Sequence, residues 1–133
     1  MDNSIVGEWI RFAQMDYDHV LKTVETHYPI PIEIVCYHCQ QSVEKILKAF
    51  IIMKDGSLTK THDLDVLLEQ CIQYSSDFDR FAAACEKLST YAAQTRYPSD
   101  IELTEAEMRQ AIKETSLILD FTKSKLTKTD SNT

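Results

Sequence analysis

The chain has 133 residues, enough for one domain with a single hydrophobic core, and 44% of them are hydrophobic. Only two glycines and three prolines are present, which argues against an all-β fold with its many tight turns. The formal net charge of −7 speaks against a general, sequence-independent DNA binder, which needs a basic surface.

The first two helices are predicted from their apolar spacing. Residues 4–25 form the first, with apolar positions at Ile5, Trp9, Phe12, Ala13, Tyr17, Val20, Leu21 and Val24. Asp16 lies among them, so we expect it at the edge of the core or paired inside it. The prolines of the segment 27–31 end this helix, and the second helix follows at about 32–54. Its apolar seam, spaced alternately three and four residues apart, consists of Cys36, Cys39, Val43, Ile46, Phe50 and Met53.

Three further helices are predicted. Thr61 is the expected N-cap of a short helix that His62 and Asp63 open and that runs to about Tyr74. A fourth helix is expected from Phe78 to about Thr95, and a fifth starts at the capping-box pair Thr104 and Glu107. The prediction is one all-α, up-and-down bundle of about four long helices and one short one over residues 1–126, followed by a polar frayed tail at 127–133.

The chain lacks an apolar run long enough to span a membrane, and its first residues do not form a signal peptide. These features predict a cytoplasmic protein with four reduced cysteines. Cys36 and Cys39 have the spacing of a zinc-ligand pair, with His38 between them. However, both cysteines occupy the apolar seam, and Cys71 and Cys85 stand alone in other helices. We therefore predict buried thiols, no metal and no cofactor.

Three segments, taken in order, resemble one family. They are C-Y-H-C-Q-Q-S-V-E-K-I-L-K-A at 36–49, T-H-D-L at 61–64 and R-Y-P at 96–98, preceded by Trp9, Ala13 and Asp16 in the first helix. This order is similar to that of the HEPN domain (higher eukaryotes and prokaryotes nucleotide-binding). The resemblance implies a helical bundle that assembles as a homodimer and works beside a minimal nucleotidyltransferase in bacterial toxin–antitoxin pairs.

Many members of that family are ribonucleases with an R-x4-6-H motif, in which Arg holds the phosphate and His acts as acid or base. The motif is absent here. None of the four arginines is followed by histidine at that spacing, and His19 lies one residue too far from Arg11. The sequence therefore predicts a nucleotide-binding or protein-interaction module. The alternative is a ribonuclease toxin with a divergent site, in which Arg96 acts with His38 or His62.

The candidate binding residues lie on the polar side of the second helix and after the fourth. They are His38, Gln41, Lys45, Lys48, Arg96 and Tyr97. Lysines can meet a phosphate as point charges, and a tyrosine can stack on a base. Several structural roles remain open beside this one. The lysines could form a solvated helix face, His38 could be a partly exposed helix residue, His62 could bond a neighbour, and Arg96 could cap a helix end.

Overall fold

The computed structural model describes residues 3–92 and 103–131, which form α-helices and one short 3-10 helix. The helices are α1 (Asn3–Thr26), α2 (Ile32–Met53), α3 (Leu64–Tyr74), α4 (Ala82–Ser89) and α5 (Glu105–Ser131), with the 3-10 helix at Ser76–Phe81 between α3 and α4. No strand occurs in these ranges, and the predicted all-α bundle is confirmed. None of the helices, over the residues described, has a stretch long and apolar enough to cross a membrane.

Helix α2 lies at the centre of the bundle and packs against α1, α5 and α3. All six residues of its predicted seam are buried, so that prediction is confirmed. Burial extends beyond the seam, because Leu47 and Ile51 on other faces of α2 are also fully enclosed. A helix surrounded in this way also buries polar side chains, and those of α2 form the candidate site described below.

Helix α1 turns a narrower face to the core than its sequence predicts. Val6, Ala13 and Val20, spaced seven residues apart, form the line that meets the core. Ile5 and Phe12 each lie one residue earlier, about 100° around the helix, and are 47% and 41% exposed. The assignment of these two residues to the core was wrong, as was that of Leu21, which is 44% exposed, because the bundle covers only one side of α1.

The segment before α3 also corrects the sequence prediction. The N-cap of α3 is Asp63, whose Oδ1 accepts a hydrogen bond from the Asp65 amide at 2.9 Å. The Thr61 hydroxyl instead accepts from the Asp63 amide at 3.0 Å, in a turn ahead of the helix. His62 therefore lies outside α3, on the connecting segment that crosses α2.

The predicted fourth helix is shorter and begins differently. Phe78 and Phe81 are buried within the 3-10 helix, whose three residues per turn place positions three apart on one side. Regular α-helix starts only at Ala82, and α4 ends at Ser89, well before the predicted end at Thr95.

Helix α5 begins as predicted and ends later than predicted. The Thr104 hydroxyl accepts from the Glu107 amide at 3.1 Å, and the Glu107 carboxylate accepts from the Thr104 amide at 3.1 Å, which confirms the capping box. The helix then continues to Ser131, past residue 127, where the frayed tail was expected to begin.

Candidate functional site

The strongest polar cluster of the described chain centres on the carboxylate of Glu44 in α2. Lys48 donates to it at 2.9 Å, Gln40 donates at 3.1 Å, and the ring nitrogen Nδ1 of His62 lies 3.0 and 3.1 Å from its two oxygens. The same Gln40 amide nitrogen donates to the main-chain carbonyl of His62 at 2.9 Å. We call these four residues the Glu44 network. It fastens the segment before α3 to the central helix.

The Glu44 network is buried on the α2 side and open on the His62 side. The side chains of Glu44 and Lys48 are 5% and 11% exposed, whereas that of His62 is 74% exposed. Burial raises the pKa of the Glu44 carboxyl, but the hydrogen bonds from Lys48, His62 and Gln40 together outweigh it. The pKa of Glu44 therefore lies below its ordinary value. Glu44 is thus an ionised carboxylate held in the interior.

Lys48 has a second contact with the first helix. Its ammonium lies 5.5 Å from the centroid of the Trp9 ring, within the range of a cation–π interaction. The lysine is consequently enclosed between a carboxylate and an indole, and its charge is satisfied inside the protein.

A second polar cluster links α1 and α2 and comprises Asp16, His19, His38 and Lys45, here called the Asp16 cluster. Lys45 donates to Asp16 at 2.7 Å, and His38 Nδ1 lies 3.8 Å from the other carboxylate oxygen. The rings of His19 and His38 meet edge to face, with centroids 5.2 Å apart. Of the two alternatives predicted for Asp16, an edge position and a pair inside the core, the structure combines parts of both, because Asp16 is partly buried and paired with Lys45.

His38 is the member of the Asp16 cluster whose pKa departs from its ordinary value. Burial lowers the pKa of its imidazole, and the Asp16 carboxylate opposes this while His19 and Lys45 add to it. Its Nδ1 is buried and makes no hydrogen bond to the residues described. At 3.8 Å the Asp16 oxygen is too distant to be a hydrogen-bond partner.

The structure gives three of the predicted binding residues of α2 an internal partner. Lys48 and Lys45 pair with carboxylates, and the Gln41 amide donates to the Gln40 side-chain oxygen at 2.8 Å. The interpretation of the stripe as a solvated face is wrong for Lys48, which is nearly as buried as the core. His38 and His62 belong to different clusters, and the remaining predicted binding and catalytic positions, Arg96 and Tyr97, lie outside the described residues.

Two members of the Glu44 network were missed as site residues. Gln40 and Glu44 directly follow the seam residues Cys39 and Val43, so they lie about 100° from the middle of the apolar face. Their spacing of four residues is the signal that could have predicted the hydrogen bond between them. The partner that completes the network, His62, follows 18 residues later in sequence, and helical periodicity does not reveal a contact of that kind.

All four cysteines are buried and none forms a disulfide, which confirms their interpretation as core thiols. Burial raises the pKa of Cys39 and of Cys85 to about 12 and raises that of Cys71 as well. A thiol with so high a pKa is a poor nucleophile at neutral pH. The chemistry of the described chain therefore concentrates in the two polar clusters.

The fold and the site together define the class of protein. It is an all-α bundle whose central helix carries buried charged groups that are paired with one another. A family model named HEPN domain matches residues 6–125. The chain belongs to the HEPN domain family. A search of curated proteins gave no match. Among solved structures, the crystal structure of TT1696 from Thermus thermophilus is similar in fold, with a TM-score of 0.71 and 21% sequence identity over 90% of this chain and 97% of that one.

Proposed function

We propose that this HEPN domain is a protein-interaction module that forms a homodimer and binds a minimal nucleotidyltransferase in a toxin–antitoxin-type pair. The partner and the biological role come from the family resemblance. One structural observation supports interaction through an apolar surface over phosphate binding. Lys45 and Lys48, the two lysines on the predicted binding stripe, are each paired with a carboxylate of the same chain.

An exposed apolar surface on α1 supports the same proposal. Ile5, Phe12 and Met15 are 47%, 41% and 52% exposed, and Trp9 is half-buried among them. We call these four residues the α1 strip. A shallow cavity of about 210 Å³ lies between Ile5, Trp9, Phe12 and the neighbouring Glu8. The Arg11 guanidinium lies 4.7 Å from the centroid of the Phe12 ring, so the strip is apolar with a charged neighbour. Exposed apolar side chains of this kind are typical of protein interfaces, and the half-buried indole is the type of anchor found at their centres.

Dimerisation through the α1 strip is tested by light scattering at micromolar concentration. The wild-type chain is expected to have the mass of a dimer, and Phe12→Ser is expected to weaken association. Val66→Ser is the matched control, because Val66 is similarly exposed, at 40%, on α3, away from the strip. A monomeric wild type, or equal effects of both substitutions, would contradict the proposed surface.

The partner is tested by co-expression with the product of the neighbouring gene. We expect a nucleotidyltransferase-type protein to co-purify with the chain and to be lost when the α1 strip is altered. A chain that purifies alone, with no nucleotide-induced shift in its melting temperature, would contradict the interaction proposal.

Ribonuclease activity is the second candidate function. The contact between the His62 ring and the Glu44 carboxylate favours it. A histidine held by a buried carboxylate is the arrangement that general acid–base catalysis uses. The test is growth inhibition on expression, which Arg96→Ala and His62→Ala would each abolish. Normal growth, together with RNA that stays intact after incubation with the protein, would exclude this candidate.

A further inference from the structure

The Asp16 cluster joins α1 to α2 and contains a buried ring nitrogen without a hydrogen bond. Lys45 donates to one oxygen of the Asp16 carboxylate at 2.7 Å, and Nδ1 of His38 lies 3.8 Å from the other oxygen. That nitrogen is buried and makes no hydrogen bond to the residues that the structure describes. The carboxylate nearest to it is therefore already paired with a lysine, and the imidazole has no bond of its own to it.

A proton on His38 enters surroundings that disfavour a positive charge. The ring meets the rings of Tyr37 and His19 edge to face, with centroids 5.4 and 5.2 Å away, and the side chain is only 26% exposed. The charged and titratable groups that face it are Asp16 and His19 on α1 and Lys45 and Tyr37 on α2. Because the charges of Asp16 and Lys45 cancel, a protonated His38 gives the cluster a net positive charge in a partly buried site.

We propose that the Asp16 cluster is a pH-sensitive contact, in which protonation of His38 weakens the packing of α1 on α2 and, with it, association through the α1 strip. Water solvates a charged imidazole better than a partly buried site without a free carboxylate, so the protonated form favours a looser contact between the helices. The Ser42 hydroxyl donates to the Ala13 carbonyl at 2.7 Å nearby, and neither group changes its charge. That bond keeps α1 on α2 when the cluster loosens, so the helices do not separate along their whole length.

The Asp16 cluster is continuous with the α1 strip. Asp16 directly follows Met15, and His19, which is exposed, follows Phe12 by seven residues, two turns further along the same face of α1. A second copy that covers Phe12 and Met15 therefore excludes water beside the cluster and makes a proton on His38 still less favourable. Because protonation and association oppose each other, acid must weaken association, a step that rests on the proposed dimer.

The direction of the pH response follows from the pKa of His38. Burial lowers that pKa below its ordinary value of 6.5, the Asp16 carboxylate opposes the shift, and His19 and Lys45 add to it. The unfolded chain therefore takes up this proton at a higher pH than the folded chain. The stability that depends on neutral His38 is complete above about pH 6.5 and is lost as the pH falls below it. Histidines are the side chains whose ordinary pKa lies in this range, so variants of single histidines isolate the effect.

The contact is tested by urea denaturation in the Phe12→Ser background, which keeps association out of the measurement. We expect the urea midpoint to fall by about 0.5 M between about pH 7.5 and about pH 5.5, as His38 gains its proton on unfolding. His38→Gln, which keeps a polar side chain but does not titrate, should lose most of that fall. His27→Gln is the matched control, because His27 is exposed and its ring contacts the Thr26 hydroxyl instead of a carboxylate. Equal falls in the two variants would overturn the proposal.

If His38→Gln does not fold, proton NMR of the wild-type imidazole gives the decision. The His38 resonance, assigned through its backbone, is expected to titrate with a midpoint below the ordinary value of 6.5. A midpoint at or above that value refutes the pH-sensitive contact, because the folded chain then accepts the proton as readily as the unfolded chain.

The coupling to association is measured on the wild-type chain by sedimentation at the same two pH values. We expect the dissociation constant of the dimer to rise about tenfold at the lower pH, and to rise less in His38→Gln. A dimer whose dissociation constant is the same at both pH values rules out the coupling. A chain that is monomeric at both contradicts the proposed dimer and the coupling with it, whereas a positive urea result still supports the pH-sensitive contact.

Discussion

Replacing Glu44 with leucine should destabilise the protein strongly, because it strands a buried charge. The three side chains that contact the Glu44 carboxylate keep different partners once it is removed. The His62 ring is largely exposed and regains water, and the Gln40 amide keeps its bond to the His62 carbonyl. Lys48 is 11% exposed and keeps the Trp9 ring as its neighbour. We expect a loss of about 3 kcal/mol in the free energy of unfolding, typical of a broken buried ion pair.

The measurement is urea denaturation followed by far-UV circular dichroism, with two matched variants. Glu44→Leu combined with Lys48→Met removes both charges and should lie within about 1 kcal/mol of the wild type. Glu8→Gln removes the charge of one partner of an exposed pair, in which Glu8 and Arg11 are 56% and 54% exposed, and should leave the unfolding midpoint nearly unchanged.

The double variant tests whether the unpaired Lys48 ammonium causes the loss of stability. If it is as unstable as Glu44→Leu, the cost comes from lost packing or lost hydrogen bonds at position 44 and not from the stranded Lys48 ammonium. If Glu44→Leu lies within about 0.5 kcal/mol of the wild type, the site admits enough water to solvate Lys48, and the buried-charge argument fails.

Three further predictions concern pH and local geometry. The folded-state pKa of Glu44 lies below its ordinary value of 4.5, so its ionised form stabilises the protein above that pH, and the advantage of wild type over Glu44→Gln should shrink as pH falls from about 7 to about 3 in urea titrations. Gly56→Ala should cost about 1–2 kcal/mol, because a Cβ there would lie 2.9 Å from Ile51 Cγ2 and 3.1 Å from its carbonyl oxygen. Gly7→Ala in α1 meets nothing within 4 Å and should instead stabilise by about 0.5–1 kcal/mol, so equal thermal shifts would refute the steric argument. Thr104→Ala removes the cap of α5 and should cost about 1 kcal/mol in the same assay, and an unchanged stability would contradict that role.

The spacing of apolar residues predicts the centre of this fold because the α2 seam keeps the helical period over its whole length and neighbours cover α2 on several sides. The regular seam from Cys36 to Met53 is buried throughout. The capping box of α5 is equally local, since its two residues lie three apart and bond each other. Where one short segment contains all the interacting groups, the sequence suffices.

Prediction fails where several elements cooperate. Glu44 and Lys48 read as solvent-facing residues because they lie off the seam, yet Trp9 from α1 and His62 from a later segment cover them. Phe12 reads as a core residue because it continues an apolar stripe, yet the bundle packs on the adjacent stripe of α1 instead. In both cases burial depends on which face of the helix a neighbouring element covers. The periodicity of a single helix does not reveal that face.

The pairing of the lysines bears directly on what this domain can bind. A phosphate at Lys45 would compete with the Asp16 carboxylate, which accepts from that lysine at 2.7 Å within a partly buried cluster. At Lys48 it would compete with Glu44, and that lysine is only 11% exposed. The charge of each lysine is already balanced by a carboxylate of the same chain, so a phosphate gains little charge complementarity at either position. Binding through the α1 strip breaks neither of these pairs and removes apolar surface from water, so recognition of a protein surface is the function that this arrangement favours.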